Sequence, residues 1–351
     1  MASRKPIPRP VRAARNAAQR LYDTFAGVEQ LQTQVSALSD QVAELRVTVA
    51  ALGDQARTEQ DALRSALQSG HRKTLEALRL VYDDESTNRQ RLWRVRESDS
   101  YARAFDEPEP LVSILMVTYS NLELLMERAL PSLLAQTYER IEVVIVGDGA
   151  APDVEAAIKS VHDPRVRYRN LTMRGPYPDD QIGLWQVAGG PAMNEAVRIA
   201  RGAWIAQSDD DDAAKPDRIE KLVRAARDRD LEFCYGKIDV HAPDGTTTTA
   251  GKFPPEYMAL NLGASLMHAG LRFICSELGD ATFGVPGDWS RISRMMRIGV
   301  RMGMIDDVVV DYYPGHLWQE RGNWRPAPDP GIASHRVSTE ATAMFPPRPG
   351  P

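Results

Sequence analysis

Four consecutive carboxylates, Asp209-Asp210-Asp211-Asp212, follow the short apolar run Ala203-Trp204-Ile205-Ala206. Adjacent like charges repel, and acidic residues are poor strand formers, so the cluster is unfavourable unless a cation neutralises it. Hard divalent cations such as Mg2+ and Mn2+ prefer carboxylate oxygens and keep positions open for substrate phosphates. A loop at the carboxyl end of a buried strand is also where open α/β sheets place their ligands. The spacing points to a metal-diphosphate site. A solvated acidic turn before the helix that starts near Pro216 and Asp217 is the alternative, with Asp212 as a helix cap.

Alternating strands and helices must position such a site. Leu111 to Thr118 and Ile141 to Val146 are continuous apolar runs of the buried-strand type, the second ending at Gly147-Asp148-Gly149. Helical stretches lie between them through Leu124 to Leu134, and after them over Val154 to Val161. A short strand at Arg165 to Tyr168, a helix over Ala192 to Arg201 and a last strand at Val308 to Tyr313 extend the pattern. Strand-helix alternation predicts an α/β domain, a mostly parallel sheet with right-handed crossovers flanked by helices.

The N-terminal third reads differently. Arg4, Lys5, Arg9, Arg12, Arg15 and Arg20 make residues 1–27 a basic segment, interrupted by Pro6, Pro8 and Pro10 and read as lacking fixed structure. It is available to an anionic membrane surface, or is a solubilising tail. From Val28, the residues Val28, Val35, Val42 and Val49 alternate with Leu31, Leu38, Leu45 and Leu52 at spacings of three and four. β-Branched residues at a and leucine at d favour a parallel two-stranded coiled coil, so a homodimer through residues 28–67 is expected. A helix lying on its own main domain is the competing arrangement. The predicted division is a helical region at 28–95, a main domain at 105–320 and a Pro-rich tail at 321–351.

Composition narrows the functional classes. A net charge of -5 argues against a general nucleic-acid binder, and the 43% hydrophobic content supports a substantial core. Cys234 and Cys275 show no metal-ligand spacing, and a reducing, cytoplasmic environment, extending to the inner face of the membrane, is the simplest reading. No GxGxxG follows the first strand, which weakens a dehydrogenase reading.

Four segments, in order, resemble the family 2 glycosyltransferases, enzymes of GT-A fold. They are Val112-Ser113-Ile114-Leu115-Met116-Val117-Thr118-Tyr119-Ser120-Asn121; Ser132-Leu133-Leu134-Ala135-Gln136-Thr137-Tyr138 with Glu142 to Gly149; Asn194 to Gly202 with Ile205 to Asp212 and Pro216-Asp217; and Gly287-Asp288-Trp289 with Arg294 to Arg301. The resemblance spans Leu111 to His316 and implies sugar transfer, with inversion, from a nucleotide-diphospho-sugar to a hydroxyl of a glycan or lipid-linked acceptor in glycan or surface polysaccharide synthesis. By position, Asp209 and Asp211 match the DxD pair that holds ribose and a divalent cation, Mn2+ or Mg2+, with Asp211 as direct ligand and Asp210 beside the donor. Thr118, Tyr119 and Asn194 fall among nucleotide-binding positions, Asp148 where a carboxylate reads the base, and Asp288 where the catalytic base stands. His316 falls in a region where some GT-A enzymes place a metal-binding histidine.

Departures from the family pattern are specific. Gly147 and Gly287 stand where the family has acidic residues, and Met193 stands where it often has arginine. The connection from Arg174 to Gly190 is long; it is either a loop near the donor, with Arg174 supplying the missing charge, or a surface excursion. These departures keep open a rival in which a non-catalytic, degenerate transferase scaffold is assembled on the coiled coil.

Overall fold

The computed structural model describes residues 9–257 and 259–314. His316 and the Pro-rich tail lie outside the described residues, as does the start of the basic segment. The chain divides into two compact units between Leu75 and Glu76.

The first unit is helical. A single helix, α1 (Arg9–Asp83), continues beyond it into the second unit. It begins well ahead of Val28, so the basic stretch from Arg9 to Gly27 is helical, contrary to the expectation of no fixed structure. Ala13, Ala14, Ala17 and Ala18 supply strong helix propensity there, and Pro10 sits in the first turn where its missing N–H is harmless. The heptad residues from Val28 to Leu52 are all exposed, between 45% and 66%.

The second unit starts earlier in the chain than the composition suggests. Asp84, in the left-handed region at φ 39°, breaks the helix and caps α2 (Glu85–Arg96) by accepting from the Thr87 N–H. Ser98 caps α3 (Asp99–Asp106) through the Tyr101 N–H. These two helices bury Leu92, Tyr101 and Phe105, and Phe105 packs edge-on against Trp204. Glu232, fully buried, accepts from Arg96 at 2.7 and 2.8 Å and from the Tyr101 hydroxyl at 2.7 Å. Arg297 donates to Asp83 at the end of α1. Residues from Glu76 onward fall in the second compact unit.

The remaining elements run β1 (Val112–Thr118), α4 (Leu122–Leu124), a π-helical turn into α5 (Leu130–Leu134), β2 (Ile141–Gly147), α6 (Pro152–Ser160) and β3 (Val166–Asn170). Then come α7 (Gln181–Val187), α8 (Gly190–Ile199), β4 (Trp204–Ser208), β5 (Ala213–Ala214) and α9 (Arg218–Asp228). β6 (Phe233–His241), β7 (Thr247–Ala250), β8 (Ser265–His268), α10 (Gly287–Ile298) and β9 (Met302–Tyr312) complete the described chain.

One mixed sheet has the order β3-β2-β1-β4-β8-β6-β9-β5, with β7 paired to β6. β1, β2, β3 and β4 are mutually parallel, as the apolar runs predict, with Val112 opposite both Ile141 and Trp204. β8 runs antiparallel to β4 and to β6, which adds a second half that alternation alone did not predict. Alternating side chains serve two cores, one containing Ile114, Met116, Val143 and Ile145, the other Leu115, Val144 and Val146. Helices therefore cover both faces.

Candidate active site

The strand order makes β1 a switch point. From β1 the chain proceeds outward to β2 and β3, then returns to β4 on the other side of β1. A crevice opens beyond the carboxyl ends of strands at such a point. The cavity found there has a volume of about 490 Å3, within the range of small-ligand sites. Thr118, Tyr119, Asp148, Asp209, Asp210, Asp211 and Asp288 all line it.

The four carboxylates are not equivalent. Asp210 accepts from the Asn121 amide at 3.0 Å, and the Thr118 hydroxyl lies beside it. Asp212 is buried and accepts from the Tyr313 N–H at 2.8 Å, so it fixes the chain after β9 rather than facing the cavity. Among the described residues no donor from elsewhere in the chain reaches the carboxylate of Asp209 or Asp211; Asp211 has only its own backbone N–H. Burial raises the pKa of Asp209, and the charges of Asp211, Asp210 and Asp288 raise it further. Burial also raises Asp211, against the pull of Arg128. Two cavity-lining carboxylates, Asp209 raised by the charge of Asp211, form a donor set that suits a hard divalent cation.

No group of three His, Cys, Asp or Glu side chains is arranged to hold a metal among the described residues. Magnesium-type sites commonly use one or two carboxylates and complete their shell with water and substrate phosphate, so the Asp209-Asp211 pair fits that pattern. His316 cannot be placed, since it lies outside the described residues.

Asp148 ends the β2 edge of the cavity. Its Oδ2 accepts from the Tyr177 hydroxyl at 2.6 Å and its Oδ1 from the Gly175 N–H at 3.2 Å. The carboxylate thus anchors the long connection before α7 and retains further lone pairs for a ligand. Arg174 stacks over the Tyr119 ring at 4.0 Å and lines the cavity. The two ends of the long connection are accordingly cavity wall: Arg174 at its start, and Trp185 and Gln186 of α7 through Gly190 at its close.

The glycine departure at Gly147 has a steric cause, and the one at Gly287 meets a tight contact. A Cβ at Gly147 would collide with the Asn170 carboxamide and the Tyr168 hydroxyl. Asn170 occupies that space because it clips the turn, bonding both the N–H and the carbonyl of Ala150 at 3.0 and 2.7 Å. A Cβ at Gly287 would press on the Gln186 carbonyl at 3.3 Å.

Asp288 stands in the first turn of α10, its Oδ1 accepting from the Trp289 N–H at 2.6 Å. The carboxylate is open to the cavity, yet enough protein surrounds it that desolvation raises its pKa. Asn194 behaves differently from expectation. Its amide exchanges two hydrogen bonds with the Ser276 backbone, at 2.7 and 2.9 Å, and it does not line the cavity. It acts at one remove, holding Ser276 in the wall.

Three arginines near the cluster were not singled out from the sequence. Arg291 lines the cavity and donates to the Gln207 carboxamide at 3.0 Å. Arg218, fully buried behind the cluster, donates to the Gln207 carbonyl and feels the charges of Asp209 and Asp212. Burial pushes both guanidinium pKa values down to about 10, so both remain charged at neutral pH. Arg128 donates to the Asp211 carbonyl at 2.8 Å. Arg291 was the most accessible signal: three residues after Asp288, it shares a face of the same helix.

The family model for glycosyl transferase family 2 matches residues 113–177 and 185–277. The chain carries a family 2 glycosyltransferase domain. It is 33% identical over 137 residues to the succinoglycan biosynthesis protein ExoO of Rhizobium meliloti, covering 39% of this chain and 35% of that protein. It is 34% identical over 129 residues to the putative glycosyltransferase EpsH of Bacillus subtilis, covering 36% and 33%. The match thus spans about a third of each relative's length. Among solved structures, residues 1-349 of S. aureus TarS superpose with a TM-score of 0.44 at 15% identity, over 60% of this chain and 62% of that one. In this transferase domain the acidic cluster, Tyr119 and Asp148 fall inside the matched segments, whereas Asp288 lies beyond them. Asp288 is placed only by the cavity it lines.

Proposed function

We propose that the protein transfers a sugar from a nucleotide-diphospho-sugar to an acceptor hydroxyl, with inversion, in glycan or surface polysaccharide synthesis. The observation that carries this reading is the pattern within the cluster. Asp210 and Asp212 accept from Asn121 and Tyr313 elsewhere in the chain, while Asp209 and Asp211 line the cavity with no such partner among the described residues. A bound Mn2+ or Mg2+ would neutralise this pair and stabilise charge on the departing diphosphate. Asp209 and Asp211 would hold it.

The chain's own groups do the rest. The exposed Tyr119 face, beneath Arg174, and the carboxylate of Asp148 form a cradle for the nucleoside. Arg174 and Arg291 supply cationic charge where Met193 supplies none. Asp288 accepts the acceptor's hydroxyl proton as the oxygen forms its bond to the anomeric carbon and the carbon–diphosphate bond breaks. A single displacement inverts the anomeric centre. The known relatives named for polysaccharide synthesis support the same substrate class. The seam on α1 supports a parallel homodimer through residues 28–67.

Calorimetry of nucleoside diphosphate binding, with metal and in chelator, tests the site. Binding is expected to require Mn2+ or Mg2+ and to weaken in Asp211→Asn by about 10-fold or more, more than in Asp212→Asn. Equal affinity in excess chelator would sink the metal assignment. Failure of every nucleoside diphosphate to bind would remove the donor class.

A further inference from the structure

A second cavity, of about 730 Å3, opens at the other end of β4 from the acidic cluster. Ala203 lines it, whereas Asp209 begins the cluster, a separation of roughly 20 Å at the strand rise of about 3.3 Å per residue. Five arginines from four segments converge on its rim: Arg91 and Arg94 of α2, Arg103 of α3, Arg201 before β4, and Arg272. All five are exposed.

Their partners are unusually few. Among the described residues none of the five forms an ion pair with a carboxylate. Arg103 and Arg272 each direct Nε to a backbone carbonyl, of Asp99 and Ala269, which aims the rest of the guanidinium outward. Glu107, an acid on the same rim, is already paired with Arg140 at 2.7 Å. In a chain of net charge -5, five uncompensated cations around one cleft repel each other unless an anion joins them. The wall between them is mainly apolar, formed in part by Val95, Ala203 and Phe273, with Ser98, Ser100 and His268 as its polar members.

Guanidinium forks match phosphate oxygens two at a time, and a mainly apolar wall between them offers little to a free, fully hydrated ion. An arginine rim around a mainly apolar wall matches a ligand that is phosphate at one end and hydrocarbon at the other. We propose that this cleft binds the headgroup and first chain segment of an anionic phospholipid, holding the folded domain on a membrane surface. The contact is distinct from any made by the basic N-terminal segment, and it does not depend on the donor site.

Co-sedimentation of the full chain with phosphatidylcholine vesicles, with and without phosphatidylglycerol, provides the test. Binding is expected only with phosphatidylglycerol. It should fall about 100-fold or more in Arg91→Glu/Arg94→Glu/Arg272→Glu, from the loss of three surface charges. Arg9→Gln/Arg12→Gln/Arg15→Gln should keep most of it. Nucleoside diphosphate affinity and thermal midpoint should match the parent in both variants. If the reversed charges impair folding, Arg91→Gln/Arg94→Gln carries the same readout with a smaller loss. Wild-type vesicle binding by the cleft variants, or loss confined to the N-terminal variant, would overturn the proposal. So would inorganic phosphate binding the cleft in calorimetry as tightly as the vesicles do, which would make it a free-phosphate site.

Discussion

Among the described residues Asp209 and Asp211 gain no hydrogen bond from elsewhere in the chain, whereas Asp210 and Asp212 do, and the charge of the pair has a pH signature. The pKa of Asp209 is raised above its unfolded value by burial and by neighbouring carboxylates. The folded state therefore binds more protons than the unfolded one above about pH 4, and stability must fall as pH rises from there toward neutrality. Each unit of displacement is worth about 1.4 kcal/mol. Asp209→Asn removes that slope, so in chelator the variant should gain on the parent between about pH 5 and about pH 8. Mn2+ should stabilise the parent more than the variant, and more at the higher pH, where metal no longer competes with protons. Denaturant titrations at the two pH values measure both effects, and parallel curves would refute the assignment. Asp288 gives a separate prediction. Its raised pKa, caused first by desolvation, suits a proton acceptor at neutral pH. Asp288→Asn should keep nucleotide affinity and lower transfer by about 100-fold or more. Near-parental turnover would assign the proton to another group.

Elements differed in how plainly the sequence announced them. β1, β2 and β4 are buried on both faces and read as unbroken apolar runs, so their place in a parallel sheet was legible. β6 was not, because Gly236 and Lys237 interrupt it at a register shift, and β7 is Thr-rich and largely exposed. The placement of Asp148, Asp209, Asp210 and Asp211 around one cavity followed from their positions at strand ends. The structural use of Asn194 was not legible, because a half-buried amide can serve a backbone segment 82 residues away, which no local pattern reveals. Gly147 looked like a lost carboxylate until Asn170 was seen filling its space. Helices α2 and α3 were separated from the main domain because their contacts are long-range. Arg96 and Tyr101 reach Glu232, and Asp83 receives Arg297. Glu232 is held below the usual carboxylate range despite desolvation, chiefly by the hydrogen bond and charge of Arg96 and by Arg301. Glu232→Ala would leave Arg96 and Arg301 facing each other without their counter-charge. Breaking a buried pair from one side costs about 3–5 kcal/mol. Urea unfolding should show a loss of that size, and a loss below about 1 kcal/mol would mean that apolar packing alone secures these helices.

At the scale of the whole molecule, the unresolved physical tension is the apolar seam of α1. Val28, Leu31, Val35, Leu38, Val42, Leu45, Val49 and Leu52 are all exposed in the single chain, and each Val or Leu side chain fully buried is worth about 1.5–3 kcal/mol. A solitary helix of 75 residues, about 110 Å long, has little besides intrinsic propensity to hold it together. A second copy laid parallel in the same register would cover the seam along roughly 60 Å from Val28 to Leu67 and would bring two transferase domains to one end. Gly53, Gly70 and the d-position Glu59 should leave the lower seam weaker. The division between the two compact units at Leu75 and Glu76 sets where a truncation should be made. A start at Glu76 keeps Arg79, Asp83 and Arg96 with their partners, whereas a start near Glu107 would strip Glu232 of Arg96 and Tyr101. Light scattering should find the full chain dimeric at micromolar concentration and the Glu76 truncation monomeric, with nucleoside diphosphate affinity preserved. Leu38→Glu/Leu45→Glu in the full chain should give monomers as well, because two charges at d positions cannot be buried without partners. A monomeric parent would show that another surface covers the seam, and a dimeric double variant would place the dimer contact elsewhere on the molecule.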